Sequence, residues 1–278
     1  MISKSVTISG KYITRKTGVL GEKAQAKKEK ASNMITDVGN AALFCWQVAS
    51  ETFSRNFEFR EFFRQCFETG YRSLPLVATT GAIMGLVLTI QSRPILNDFG
   101  AEGMLPGMVA VSMIREIGPV ITALICAGKI GSGIGAELGS MKVTEQIDAM
   151  EVSSTEPIKF LVVTRVLATI LMLPILVLFA DTAGLFGSWI GVNIKGDVGF
   201  VLFLSQAFAA VEFIDFIPAL IKSFLFGAVI GLTGCYKGFM AGKGTESVGL
   251  AANSAVVMSS LLVIIVDMIT VQITDMLL

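Results

Sequence analysis

Long apolar runs alternate along this chain with short charged intervals, and the runs have the lengths of membrane-crossing helices. Leu74–Gln91 has no charged residue. As a helix it would extend roughly 27 Å, enough to cross the hydrocarbon core of a bilayer. Met104–Gly128 is a second run, interrupted by Arg115-Glu116 and then Gly118-Pro119. Ile158–Ile194 is a third, with Asp181 near its middle and Trp189 near its far end, where an interfacial aromatic belongs. Gly199–Val211 is uncharged but short for a span and predicts an interfacial or re-entrant helix. Pro218–Tyr236 contains Lys222, and Ser247–Val266 is charge-free, with Asp267 just beyond it. The pattern predicts an all-α polytopic membrane protein with five spans. The loop between the first two spans, 92–103, carries Arg93, Asp98 and Glu102.

Ahead of the first span the periodicity changes. From 34 to 70 apolar residues recur at helical spacing: Met34, Val38, Ala42, Cys45 and Ala49, then Phe59, Phe62, Phe63, Cys66 and Phe67. Arg55, Glu58, Arg60, Glu61, Arg64 and Glu68 take the other side. That charge density excludes a span and predicts an interfacial helix with phenylalanines on one face. Residues 1–33 are polar and basic with no apolar run behind them, so they read as a cytoplasmic tail and not a secretory signal.

Between the second and third spans lies a charged, helix-compatible segment, Glu137–Glu151. The glycines Gly128, Gly131, Gly133, Gly135 and Gly139 lead into it. Thr144 reads as a helix N-cap, and Pro157 suits the start of the next helix. Gly131, Gly135 and Gly139, at intervals of four, would let two helix backbones approach closely, as would Gly81 and Gly85.

Composition agrees with the pattern: 53% hydrophobic and 16% charged residues, with a mean hydropathy of +0.71. Soluble domains carry about 25% charged residues. Lysine and arginine total 22, as do aspartate and glutamate, but this zero balance hides an asymmetry. With the N-terminus inside, nearly all basic residues fall on the cytoplasmic side, and the outer loops keep only Arg93 and Lys195. The chain is therefore expected to run N-in, C-out, with Glu137–Glu151 in the cytoplasm.

Histidine is absent, which excludes His-based zinc sites, serine triads and histidine relays. Cys45, Cys66, Cys126 and Cys235 are widely separated and read as apolar fillers. No GxxxxGK[ST] motif occurs, so the chain is not expected to bind nucleotide through a P-loop; it is read as a non-enzyme that binds neither metal nor cofactor.

The intramembrane charges are Arg115, Glu116, Asp181, Glu212, Asp215 and Lys222. A lone central charge costs ~2.5–3.5 kcal/mol on insertion scales, so each should pair or face a polar cavity. Adjacent Arg115 and Glu116 cannot share one helix face and should find separate partners. Lys222 with Asp215 or Glu212 is one candidate pair.

The blocks Arg115-Glu116-Ile117-Gly118-Pro119-Val120, Ala127-Gly128-Lys129-Ile130-Gly131-Ser132 and Ala136–Met150, followed by Ile221-Lys222-Ser223-Phe224-Leu225-Phe226-Gly227, resemble the MlaE-type (YrbE-type) permease family. The likeness covers roughly 50–277, within a permease domain drawn at 34–278. It implies the permease of an ATP-binding-cassette phospholipid transporter in the bacterial inner membrane. Such a permease is a homodimer with two cytoplasmic ATPase copies that carry the ATP-Mg, a periplasmic MCE-domain protein and, in some systems, a STAS-domain protein. By the same likeness Glu137–Glu151 is the coupling helix, with Glu137, Lys142, Glu145, Gln146, Asp148 and Met150 as candidate ATPase contacts. Arg115, Glu116, Asp181, Asp215 and Lys222 are candidate polar residues of the lipid cavity or its supports. The competing reading is an ion- or proton-coupled carrier relaying through Asp181, Asp215, Glu116 and Lys222. Against it, five spans do not divide into inverted repeats.

Overall fold

The computed structural model describes residues 36, 39–52, 57–194, 196 and 198–277. The basic tail 1–33 and Lys195 lie outside the described residues. Among the described residues the structure is helical and contains no strand, and five helical runs are long and apolar enough to cross a membrane. Helix α1 occupies 39–52, with Leu43 and Trp46 exposed.

The larger body begins at residue 51 and contains every span. Its first run is Phe59–Asp98: α2 (Phe59–Cys66), a wide π-type turn (Phe67–Tyr71) and α3 (Leu74–Asp98). The second run, Glu102–Val143, holds α4 (Leu105–Ser112), α5 (Gly118–Cys126) and α6 (Ser132–Val143), joined by wide turns at Met113–Ile117 and Ala127–Gly131. The short helix α7 (Gln146–Val152) leads to the third run, a wide turn at Ile158–Val163 followed by α8 (Thr164–Asn193). Then come the short apolar α9 (Phe200–Ala210), α10 (Phe213–Phe239) and α11 (Thr245–Leu277).

The spans outrun their expected limits. The single helix expected over 34–70 is interrupted, since Phe57 and Glu58 are not helical, and 59–71 instead joins the first span. The face it turns inward also differs from the simple division. Phe59, Phe63 and Phe67 are exposed, whereas Glu61, Gln65 and Cys66 are buried, with Glu61 accepting a 2.8 Å hydrogen bond from Gln65. A phenylalanine row turned outward suits lipid, and a carboxylate turned inward is tolerable because it is hydrogen-bonded. The loop expected at 92–103 is largely helix: α3 runs to Asp98, and Arg93 bonds the Val192 carbonyl of α8 at 3.0 Å. The last span likewise runs past Val266, so that Asp267 lies inside a helix.

Helix α8 is the central post. Of its most apolar window 67% is buried, against 17% for α11. It packs on α3, α10, α5 and α2. Lipid tails are as apolar as leucine, so membrane helices gain little by hiding leucine from them; contact comes from backbone proximity and polar pairing. On α3 the expected small-residue face, Gly81 and Gly85, meets Ala180 and Gly184 of α8, and a Cβ at Gly85 would overlap the Gly184 carbonyl. Thr89 and Ser188 complete the seam with a buried 2.6 Å hydrogen bond. Gly135 and Gly139 make a looser seam, facing Ala251 of α11.

Gly85→Val should therefore cost at least the 1–3 kcal/mol typical of overpacking, because the obstacle is backbone and cannot rotate away; roughly this range applies. Thermal unfolding in detergent should show a drop of several degrees for Gly85→Val. Gly249→Ala, whose new Cβ meets nothing within 4 Å, should stay near the parent value.

Candidate functional site

Pro119 has no N–H and its ring crowds the carbonyl four residues back, at Arg115. The helix widens at that point into the turn Met113–Ile117, which carries Arg115 and Glu116. Wide turns of this kind cluster at functional sites because they re-aim side chains. Here they aim two neighbours at different helices. Arg115 reaches Asp215 at the start of α10 at 3.7 Å. Glu116 accepts a 2.8 Å bond from the Lys222 ammonium, two turns further along α10. The expectation that the two find separate partners is met.

Both partners suggested for Lys222, Asp215 and the more distant Glu212, are corrected. Asp215 and Lys222 are seven residues apart, roughly 10 Å along the helix axis, too far for a direct bond from two side chains of one helix. Asp215 instead closes a capping box with Glu212 and faces Arg115. Lys222 bonds Asp267 of α11 at 3.0 Å as well as Glu116. Its side chain is only 4% exposed, so the cluster ties the second, fourth and fifth spans around one nearly dry ammonium. Glu116 and Arg115 keep about two fifths of their side-chain surface exposed, at 39% and 43%, so the cluster has an open side. The cavity between Arg115, Glu116, Pro218, Lys222 and Thr270 is about 20 Å³ in one chain, room for a water and little more.

Asp181 is not brought into this cluster. It is buried on α8 against Gly118, where a Cβ would collide with its carboxylate, and its Oδ1 has no hydrogen-bond partner among the described residues. It lines a mostly apolar cavity of about 310 Å³ with Thr182, Phe208, Glu212 and Phe216.

At the other end of the second run, Glu137–Glu151 is not one helix. Helix α6 ends at Val143, and Glu145 adopts a left-handed backbone (φ 59°) before α7 begins. Thr144 does not cap α7; its hydroxyl donates back to the Ser140 carbonyl at 2.8 Å. The break separates the six candidates. Glu137 and Lys142 belong to α6, whereas Gln146, Asp148 and Met150 belong to α7, with Glu145 at the hinge. Lys142 and Asp148 bridge the turn at 2.7 Å. Glu137 holds Arg165 of α8 at 2.8 Å, and that arginine side chain is 1% exposed. Helix α7 is pinned by fully buried Ile147, while Gln146, Asp148, Glu151 and Val152 are exposed, Val152 at 88%.

The family model described as Permease MlaE matches residues 62–273. The chain belongs to the MlaE permease family. It is 41% identical over 228 residues to a probable ABC transporter permease protein of Rickettsia typhi, covering 82% of this chain and 88% of that one. Over 196 residues it is 36% identical to a probable ABC transporter permease protein of Synechocystis, covering 70% and 74%. It is also 33% identical over 223 residues to the Arabidopsis thaliana chloroplastic protein TRIGALACTOSYLDIACYLGLYCEROL 1, covering 80% and 64%.

Within this MlaE-family permease, three residues at the two sites were not singled out from the sequence. Asp267 was placed beyond its span. Arg165 was read only as a cytoplasmic charge, although it is the largest fully buried side chain among the described residues. Val152 offered no charge or period to mark it. A usable signal existed for Arg165, because it falls on the apolar run after Pro157 and a cation there needs a carboxylate.

The ion cluster has a testable energetics. Lys222→Met leaves Glu116 and Asp267 without their cation, and breaking a buried pair on one side costs about 3–5 kcal/mol. Neutralising the carboxylates too should restore much of the loss. Thermal unfolding in detergent should rank Lys222→Met well below the triple change Lys222→Met, Glu116→Gln, Asp267→Asn, in a non-additive cycle.

Proposed function

We propose that this chain is the permease subunit of an ATP-binding-cassette phospholipid transporter, energised by a separate ATPase. The observation that carries the proposal is α7. A permease of the MlaE family whose sequence holds no P-loop presents, between two of its spans, a short helix with one buried anchor and an exposed outer face. Ile147 fixes that helix to the body, and Asp148, Glu151 and Val152 face outward. Such a helix can receive a push from an ATPase and pass it to α6 through the Lys142–Asp148 bridge, and from α6 to α8 through Glu137–Arg165.

Lipid as the cargo is supported by the relative named for a galactolipid and by the chemistry of the Lys222 cluster. Arg115, exposed on the open edge among apolar spans, is the cation able to meet a phosphate headgroup above acyl chains. The single-chain cavity there is far too small for a phospholipid, which supports a second copy completing it; α11, with its outward Val257, Leu261, Ile264 and Met268, is the face offered for that contact or for lipid. The basic residues favour N-in, C-out, which puts α7 in the cytoplasm, and the family likeness favours the bacterial inner membrane. That likeness also suggests a periplasmic MCE-domain protein and a STAS-domain protein as partners. ATP-Mg would be bound by the ATPase. The carrier reading loses support because Asp181 makes no bond to the cluster that holds Glu116, Asp215 and Lys222, so the four form no connected relay among the described residues.

Affinity purification of the tagged chain in mild detergent tests the proposal. An ATPase should co-purify with the wild type. Val152→Asp or Glu145→Lys should cut its recovery about tenfold or more, as hot-spot losses above ~1.4 kcal/mol would, without lowering the unfolding temperature. A chain that purifies alone, or one that moves lipid normally in ATP-depleted vesicles, would sink the reading.

A further inference from the structure

At the end of the bundle that carries Glu137, the wide turn after α2 stands apart from the turn joining α5 to α6. The gap between them is an open-sided cavity of about 470 Å³, within the range of small-ligand sites. No member of the Lys222 cluster lines it. Arg64, Arg72 and Lys129 supply three positive charges to its walls, against the carboxylates of Glu68 and Glu137. Those carboxylates are engaged, and so are two of the cations, Arg64 with Glu61 at 3.0 Å and Arg72 with Glu68. Lys129 is left as the wall's cation without a carboxylate among the described residues. Glu68 pairs with Arg72 at 2.6 Å, and Glu137 holds buried Arg165.

Lys129 is the informative residue. Its ammonium donates to the Arg72 backbone carbonyl, across the mouth of the gap, and pairs with no carboxylate among the described residues. An ammonium has three donors, and a neutral carbonyl satisfies one. Beside it Ser73 is 1% exposed, and its hydroxyl neither caps α3 nor finds any other partner among the described residues. A buried hydroxyl left in that state costs free energy that a ligand oxygen would recover. Four residues beyond Lys129 on the same wall, Gly133 faces open space, with nothing within 4 Å of where its Cβ would stand.

The depth of the cavity follows from α2. Gln65, Glu68, Thr69 and Arg72 turn toward the cavity, and Phe63, Phe67 and Tyr71 are exposed, with Phe67 and Tyr71 stacked at 4.9 Å. An amphipathic helix with that outward aromatic row lies at the headgroup boundary. We propose that this cavity binds a phosphate group at the membrane surface, with Lys129, Arg72 and the Ser73 hydroxyl as donors. The group is either the headgroup phosphate of a phospholipid in that leaflet or the free ion. The site does not rest on the transport reading; it needs only a chain that sits in a membrane.

The test uses the full chain in dodecyl maltoside and native mass spectrometry. One arm is titrated with dioleoylphosphatidylglycerol and the other with sodium phosphate. The wild type should retain one phosphatidylglycerol that both Lys129→Gln and Gly133→Leu lose, with affinity at that site lowered about tenfold or more, as removal of a charged hydrogen bond implies. Displacement of that lipid by millimolar phosphate assigns the free ion as the occupant, and retention assigns the headgroup. In the unsubstituted chain, phosphatidylglycerol or phosphate should also slow acetylation of Lys129, read by peptide mapping. That readout stands even if a variant fails to fold. Unchanged Lys129 labelling in both arms, or equal lipid and phosphate binding by wild type and both variants, overturns the proposal.

Discussion

A charge inside a membrane must bring its own solvent, and much of this structure answers that demand. The Lys222 ammonium is almost dry and is solvated by two carboxylates from two other spans, Glu116 and Asp267. Arg165 is drier still and is solvated by Glu137 and by the Leu161 carbonyl in the wide turn ahead of α8, with its Nε unpartnered among the described residues. Each cation thereby fixes which helices are neighbours. Hydrophobic burial could not do so, because a leucine is as comfortable against lipid as against protein. The two clusters lie toward opposite ends of the second run, and together they tie that run to α8, α10 and α11.

The backbone supplies what the charges do not. Gly81 and Gly85 let α3 lie directly on α8, and the Thr89–Ser188 bond adds a polar contact within that seam. Wide turns then adjust the register. The one at Met113–Ile117 turns Arg115 and Glu116 toward separate partners, and the one at Ala127–Gly131 brings Lys129 to the Arg72 carbonyl. Such turns leave backbone hydrogen bonds less regular than a straight helix would. They fall beside Gly118-Pro119 and Gly131, where the chain already departs from ideal helix chemistry.

Mechanically, the consequence is a connected path. Helix α7 is bridged to α6 by Lys142–Asp148, α6 to α8 by Glu137–Arg165, and the same second run carries Glu116 of the Lys222 cluster. Helices α6 and α8 have little other contact, whereas the second run also packs broadly on α10 and α11. Displacement of α7 by a partner would therefore be felt along the second and third spans, and not absorbed by a flexible loop. Left-handed residues stand at both ends of α7, Glu145 before it and Ser154 after it.

The number of spans, the short apolar helix at 200–210, the glycine seam at 81 and 85 and the membership of a permease family were all legible in the sequence. Each depends on one local quantity: the length of a charge-free run, the spacing of small residues or a contiguous block of side chains. Partner choice was not legible in that way. Lys222 was matched to Asp215 or Glu212, near it in sequence, although neither is within reach; Glu116, 106 residues away, and Asp267, 45 away, take that place. Asp267 looked peripheral because the last run was ended at Val266, and Arg165, although inside the run 158–194, was counted with the cytoplasmic charges; a helix start near Thr144 was legible, but nothing local marks Glu145 as left-handed. Composition and period decide whether a segment belongs in a membrane, since that is an exchange between water and lipid. Which charge meets which is settled only when helices cross, because the low dielectric between them makes the nearest opposite charge in space, and not in sequence, the one that matters.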